Sequence, residues 1–558
     1  MDSQNSVPPR SPQGDVSTSK LSPSAYISAM KFHASQTLRT STHPGSHLKG
    51  VANYLGKEEP QKSACPTGTL YTIRLPADSS TTEKYLKHFN DPSELEQLLS
   101  IEEDGREKPA KQSHILFLAG YPSPKLLATI GSMIQVDPEH YRRHLDFLSL
   151  SELFPYPTLP SASDNIITLP FVTIGHSSTN TRLQGCIDKL RQDSDRKMKD
   201  YLHDLCLART VRTGDSIVRR YLVHNAEYFS IEQRMSISLN SYENRRVVLV
   251  LSDGGDTLIS GPKGPWTDSL RRLAPMSHPV RHRPKLALHS YSYALPEDEE
   301  KDANSHGIDV YCMASVLQKN YGRNLNADTM MIDPFYSLHE ILDCSAACEA
   351  QFLEFLERII VEETQLTVRE ASNEISFTNL LYTIEILDSH MFLLSENTKK
   401  IRVRGSQKWP RALENTDQGI RAKAAADHLL HDYEFLLEKA EKLRERCERT
   451  MKIIMNNTNL AESKRAIVQA ERVGKLTMLA FFFVPLSFTS SFFGMNVKEI
   501  NASGSPSYGV WIWFVVSIPI TLLSIVLYYF DVGQILRDIW SMCGQLRRSL
   551  TRLLSKGG

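Results

Sequence analysis

Three groups of residues in this chain have types and spacings that could do chemistry. Gly494-Met495-Asn496 closes an uncharged run, Leu476 to Val497, and puts a side-chain amide, a neutral hydrogen-bond acceptor, where lipid solubility gives it no reason to be. Ser252-Asp253-Gly254-Gly255-Asp256 offers two carboxylates, the equipment of acid–base catalysis, but a Gly-Gly turn after a strand accounts for them. Cys344 and Cys348 fall one helical turn apart with His339 nearby; a metal site is one reading, and two thiols buried on an apolar helix face is the preferred one. A hydrolase or nucleotide-binding enzyme would need a nucleophile elbow or a phosphate loop, and the sequence has neither. No enzymatic activity and no cofactor are expected.

The amide has to be positioned by the apolar run that it ends. That run and a second one, Gly509 to Phe530, are each roughly 22 residues long, enough to cross about 30 Å of hydrocarbon as a helix. Trp511, Trp513, Tyr528 and Tyr529 lie near the ends of the second, where interfacial aromatics belong, and Pro485 and Pro519 are tolerable in a membrane bundle. Lys464, Arg465, Arg472 and Lys475 precede the first run, and Arg537, Arg547, Arg548, Arg552 and Lys556 follow the second, whereas the connection carries Lys498. The positive-inside rule then puts both termini on the cytoplasmic side. Asn501-Ala502-Ser503 is a formal glycosylation sequon, too close to the membrane to be used.

Lys475-Leu476-Thr477, Phe483-Val484-Pro485-Leu486-Ser487-Phe488 and Phe493-Gly494-Met495-Asn496, followed by a short polar loop and a second apolar run, resemble the CorA family of divalent metal transporters. The stretch from Phe117 to Phe147 resembles the start of the intracellular domain in the fungal CorA-like branch. The resemblance covers roughly residues 65 to 535. It implies a homopentamer with an α/β intracellular domain, a long helical stalk and two C-terminal transmembrane helices, the first lining a central pore. It places Gly494, Met495 and Asn496 at the pore mouth, and Ser491, Ser487, Val484 and Leu476 along the pore wall. Mg²⁺ gives up its water reluctantly, and a ring of Asn496 carbonyls could accept hydrogen bonds from that water without trapping the ion; Gly494 would permit the turn that ends the helix. The transported species would be Mg²⁺, with Zn²⁺ or another transition metal as an alternative. In bacterial members the loop after the motif is acidic, whereas Lys498-Glu499 sums to zero, which keeps a non-conducting membrane-anchored scaffold or sensor open as a further alternative. The family's metal-sensing carboxylates match no motif here. The implied partners are further copies of the chain, the bilayer and hydrated divalent cations; the plasma membrane is preferred to an internal one.

Composition fits a mainly soluble chain with a small membrane part. Lys plus Arg equals Asp plus Glu at 64 each, and no basic patch with interleaved aromatics points to nucleic acid. Eight scattered cysteines, without Cys-x-x-Cys pairs, suit a reducing compartment. Residues 1–64, rich in Ser, Pro and Thr, read as a disordered tail rather than a transit peptide. Residues 65–335 read as an α/β domain, with strands at Leu70–Leu75, His114–Leu118, Ile166–Ile174, Ser216–Val223, Tyr228–Leu239 and Arg245–Leu251, and a solvated surface insertion at 261–307. Residues 336–475 read as a helical stalk. One or two helices span Leu338 to Ile401; Gly405 and Trp409-Pro410 mark a break; a last helix begins near Thr416. Its residues Leu429, Tyr433, Leu436, Ala440, Leu443 and Cys447 alternate by four and three, a heptad seam that fits either an oligomeric stalk or an intramolecular bundle. Residues 476–530 would form the two-span pore domain, the stalk and first span together a helix of roughly 80 residues, and 531–558 a basic intracellular tail.

Overall fold

The computed structural model describes residues 21–37, 39, 41–58, 60, 67–75, 82–100, 111–149, 159–177, 184–242, 245–259, 261–271, 276–279, 313–319, 321–369, 373–494 and 510–529. The chain divides into two compact units, Met1–Met451 and Lys452–Gly558.

The first unit is built on a mixed sheet of β1 (Gly68–Leu75), β2 (Glu83–Phe89), β3 (Lys111–Ala119), β4 (Ile166–His176), β5 (Arg220–Val223), β6 (Tyr228–Tyr242), β7 (Arg245–Ser252) and β8 (Met276–Ser277). The order is β2-β1-β3-β7-β6-β4-β8, with β5 added alongside β6. β3 and β7 are parallel and the other pairs antiparallel. The central strands are runs such as Val247-Val248-Leu249-Val250-Leu251, buried on both faces, as strands covered by helices on either side must be. β2 was not expected. It carries Glu83, Lys84 and Lys87 because it is a sheet edge, where charge guards unpaired backbone groups. Ser216–Arg219 lie outside β5 and instead cross the strand ends, with Ile217 N–H bonded to Asp253 O.

Two expectations about this unit are corrected. The supposed disordered tail contains α1 (Pro23–Ser35) and α2 (Lys49–Leu55), which bury Tyr26, Met30, Val51, Tyr54 and Leu55. Ser22 caps α1 through its hydroxyl, and the Tyr26 and Tyr54 hydroxyls donate to Val136 O and Pro122 O. The following helices are α3 (Pro92–Ser100), α4 (Pro124–Ile134), α5 (Pro138–His144), α6 (Gln184–Leu207) and α7 (Thr267–Arg271). The last of these lies in the supposed surface insertion, where Trp266 and Leu270 are core residues and the indole donates to Leu258 O. The rest of that insertion, apart from residues 276–279, lies outside the described residues.

The chain then turns helical, through α8 (Met313–Lys319), α9 (Ala327–Ile332), α10 (Pro334–Ser337), α11 (His339–Arg369), α12 (Asn373–Arg402) and α13 (Asp417–Gly494), and α14 (Val510–Tyr529) follows. α11 packs over β4, with the Ser345 hydroxyl donating to Pro170 O. α11 and α12 are also bound to the sheet by a buried ionic chain. His390 on α12 bonds Glu349 of α11 through Nδ1 at 2.8 Å and Glu232 of β6 through Nε2 at 3.3 Å, and Glu232 also faces Arg220. Burial alone would lower the His390 pKa, but Glu349 and then Glu232 raise it to about 10.

The heptad seam of α13 is buried as its spacing requires, and inside the first unit its partners belong to the same chain. Tyr433 donates to Leu342 O of α11; Lys439 pairs with Glu354 and Glu357 of α11, and Arg444 with Asp388 of α12. Up to Met451 the intramolecular reading therefore holds.

Candidate functional site

In the second unit, α13 loses its cover. From Ala461 to Gly494 most side chains are exposed, mainly polar ones up to Lys475 and mainly apolar ones from Leu476 onward. The stretch of α13 that ends at Gly494 is long and apolar enough to cross a membrane, and Trp511–Val526 of α14 is a shorter apolar helix.

Thr489 is the reference point for the faces of this helix. It is 2% exposed, and its hydroxyl accepts a 2.8 Å hydrogen bond from Ser517 of α14, itself buried. Such hydroxyl pairs hold apolar helices together where the surroundings offer no competing water. At about 100° per residue, Leu476, Ala480, Val484, Ser487, Ser491 and Gly494 all point within about 40° of the direction opposite Thr489. All are exposed in the single chain, Leu476 and Val484 at 66% each. The face turned away from α14 is therefore uncharged, mostly small, and hydroxylated toward its C-terminal end. Leu476, Val484, Ser487 and Ser491, the residues expected along a pore wall, share that face.

Gly494 is the last helical residue. Its backbone is not left-handed, and a Cβ there would meet nothing within 4 Å. Met495, Asn496, Lys498 and Glu499 lie outside the described residues.

The other candidate groups are structural. Asp253, fully buried, takes both ends of the Arg219 guanidinium at 2.7 and 2.6 Å; Arg219 also donates to Asp146 and to His144 O. Burial would lower the Arg219 pKa, yet Asp253 and Asp146 raise it and keep the group charged. The carboxylate thus locks the end of β7 to the segment before β5. Cys344 and Cys348 are buried on α11, and among the described residues no group of three or more His, Cys, Asp or Glu side chains is placed to hold a metal ion.

Comparison with known proteins bears on this helical segment. Residues 396–531 match the family described as CorA-like Mg²⁺ transporter protein. The CorA-like segment contains the end of α12, the corner after it, all of α13 and all of α14. It therefore includes every candidate residue on the exposed face and the Thr489–Ser517 contact. A family of this description resides in membranes, in keeping with the apolar stretch of α13. Solved structures to which the chain is similar include the complete structure of the CorA magnesium transporter from Methanocaldococcus jannaschii, with 11% identity and a TM-score of 0.32, covering 82% of this chain and 96% of that one. A second is the full-length CmaX protein, with 11% identity and a TM-score of 0.30, covering 84% of this chain and 99% of that one. Among curated proteins, none matches the chain.

Sequence reasoning missed the Thr489–Ser517 pair, although a threonine and a serine each inside an apolar run are a readable signal for helix contact.

Proposed function

We propose that this chain is a passive transporter of divalent cations, with Mg²⁺ the favoured ion, whose pore is built by five copies of α13. The observation that carries the reading is the exposed face of α13 opposite Thr489, found in the segment that matches the CorA-like family. A helix that meets its neighbour through Thr489 and Ser517 on one side, and is small, uncharged and hydroxylated on the other, is suited to lining a shared pathway. Two apolar helices cannot enclose a pore by themselves, and a symmetric ring can.

In this reading α14 crosses the membrane beside α13, both termini are intracellular, and the Asn496 amides ring the far entrance. Their carbonyl oxygens accept hydrogen bonds from the ion's water, and the Ser491 and Ser487 hydroxyls continue that role inward. Val484 and Leu476 form apolar constrictions that block conduction when they dewet. The membrane potential contributes about 4.6 kcal/mol per 100 mV to a divalent ion, so no ATP-driven machinery is required. Zn²⁺ or another transition metal is the alternative cargo. Lys498, next to the motif, favours the second reading, a non-conducting scaffold or sensor, because it repels cations from the mouth.

The face assignment is tested with single cysteines. Ser487→Cys and Ser491→Cys should make Mg²⁺ uptake into liposomes sensitive to a water-soluble methanethiosulfonate, whereas Phe488→Cys, about 100° from Ser487 around the helix, should not. Equal block at all three positions, or block at Phe488→Cys alone, would remove this face from the pore.

A further inference from the structure

We propose that the corner between α12 and α13 is a binding site for an oligophosphate group, separate from the transport pathway. From residue 396 to 423 the chain carries eight Lys or Arg and three Asp or Glu. The structure sorts them. Arg404 is spent on Asp333, Lys400 on Ser163 O and Asp164 O, and Lys399 on Glu396. Arg402 and Arg411, both exposed, line a cleft of about 530 Å³ with Val403, Gln407 and Trp409; Arg402 also pairs with Glu434, and the exposed Lys408 adjoins the lining in sequence.

No carboxylate lines that cleft. By contrast, the 570 Å³ cleft over the sheet is lined by Asp146 and Glu232 as well as arginines, and the 230 Å³ cleft beside α6 by Asp193 and Asp268. The corner's lining residues are cationic or neutral, and its one acidic partner, Glu434, stands at the edge, paired with Arg402.

The lining is also held in place. α12 ends in a Schellman turn: Gly405 N–H bonds Lys400 O, Arg404 N–H bonds Ile401 O, and both residues are left-handed, with φ of 88° and 51°. Gly405 lies flat on the Trp409 ring, where a Cβ would come within 2.5 Å of it. Trp409 is in turn fixed by its indole N–H to Asn165 Oδ1 at 2.7 Å. On this base, Arg411 Nη2 donates to Val403 O and Arg402 Nη2 to Glu434, each at 2.8 Å. A guanidinium has five N–H donors, so one bond orients each group and the others can reach phosphate oxygens.

Two arginines, a lysine and an amide exceed what one small monoanion needs and suit a chain of phosphates. The Trp409 ring is buried and offers no open face for stacking a base. The shared chemistry is therefore the phosphate chain, whether it is free or belongs to a nucleotide.

Isothermal titration of the full-length protein in detergent, without Mg²⁺, tests this with sodium tripolyphosphate, ATP and adenosine. Tripolyphosphate and ATP should bind within about threefold of each other, and adenosine should give no heat, because recognition stops at the phosphates. Raising salt from about 50 to 300 mM should weaken both by about tenfold. Arg402→Gln with Arg411→Gln should cost at least about tenfold, and Lys408→Glu, an exposed position that holds nothing in the fold, at least about threefold. Arg465→Gln, an exposed charge on α13, should change nothing. No heat with millimolar tripolyphosphate, unchanged binding in both the double variant and Lys408→Glu, or binding of adenosine would overturn the assignment. An oligonucleotide that displaces tripolyphosphate through the same arginines would reassign the corner to nucleic acid.

Discussion

The chain Glu349–His390–Glu232 makes a prediction whose size can be worked out. Both ring nitrogens of a buried imidazole face carboxylates, so the folded state holds a proton that the unfolded state releases near pH 6.5. With the folded pKa raised to about 10, the contribution to stability is complete below pH 6.5 and disappears as pH rises through 10. By linkage it is about 4 kcal/mol at pH 7 and about 1 kcal/mol at pH 9, so about 2–3 kcal/mol is lost over that interval. The comparison is with His390→Gln/Glu349→Gln, which removes the titrating ring and its nearer carboxylate while Glu232 keeps Arg220. Urea unfolding of both proteins, followed by tryptophan fluorescence, gives the stability difference at each pH. That difference should fall by about 2–3 kcal/mol from pH 7 to pH 9. A difference that stays constant, or grows, would mean that the imidazole is not held as a cation between the two acids.

Two further outcomes follow from packing. Arg219→Met leaves Asp253 buried without its bidentate partner and should destabilise the first unit by about 3–5 kcal/mol in the same unfolding assay, with Arg219→Lys recovering only part of the loss. Gly131→Val puts a Cβ within 2.5 Å of the Tyr26 ring, so limited proteolysis should release the segment containing α1 in this variant and leave it protected in the wild type.

The parts of the fold legible in the sequence were those whose burial has a short period. The alternation by four and three from Leu429 to Cys447 is a local pattern, and each of those residues is buried. The apolar runs of β3, β6 and β7 were equally plain. What was not legible depends on distant partners. Tyr26 looks isolated among Ser, Pro and Thr, and Gly131 and Val136, over a hundred residues later, help make a place for it. Trp266 follows Pro and Gly and reads as surface, yet Tyr201 stacks edge-on against it at 4.9 Å. Asp253 reads as a turn residue because its ion pair spans 34 residues. At the candidate site, the resemblance to CorA placed Leu476, Val484, Ser487 and Ser491 along one wall; that this wall lies opposite the contact with α14 required Thr489 and Ser517 to meet.

Mg²⁺ uptake by purified protein in liposomes, with a membrane potential and a fluorescent indicator inside, tests the transport reading most directly. Wild type should carry Mg²⁺, and Asn496→Ala should lose the uptake while assembling as wild type does. Lys498→Glu, which exchanges a positive charge for a negative one beside the motif, should raise uptake, most at low ionic strength. Equal uptake by wild type and Asn496→Ala would contradict the role of the amide, and no uptake of Mg²⁺, Zn²⁺, Co²⁺ or Ni²⁺ even with Lys498→Glu would contradict transport itself.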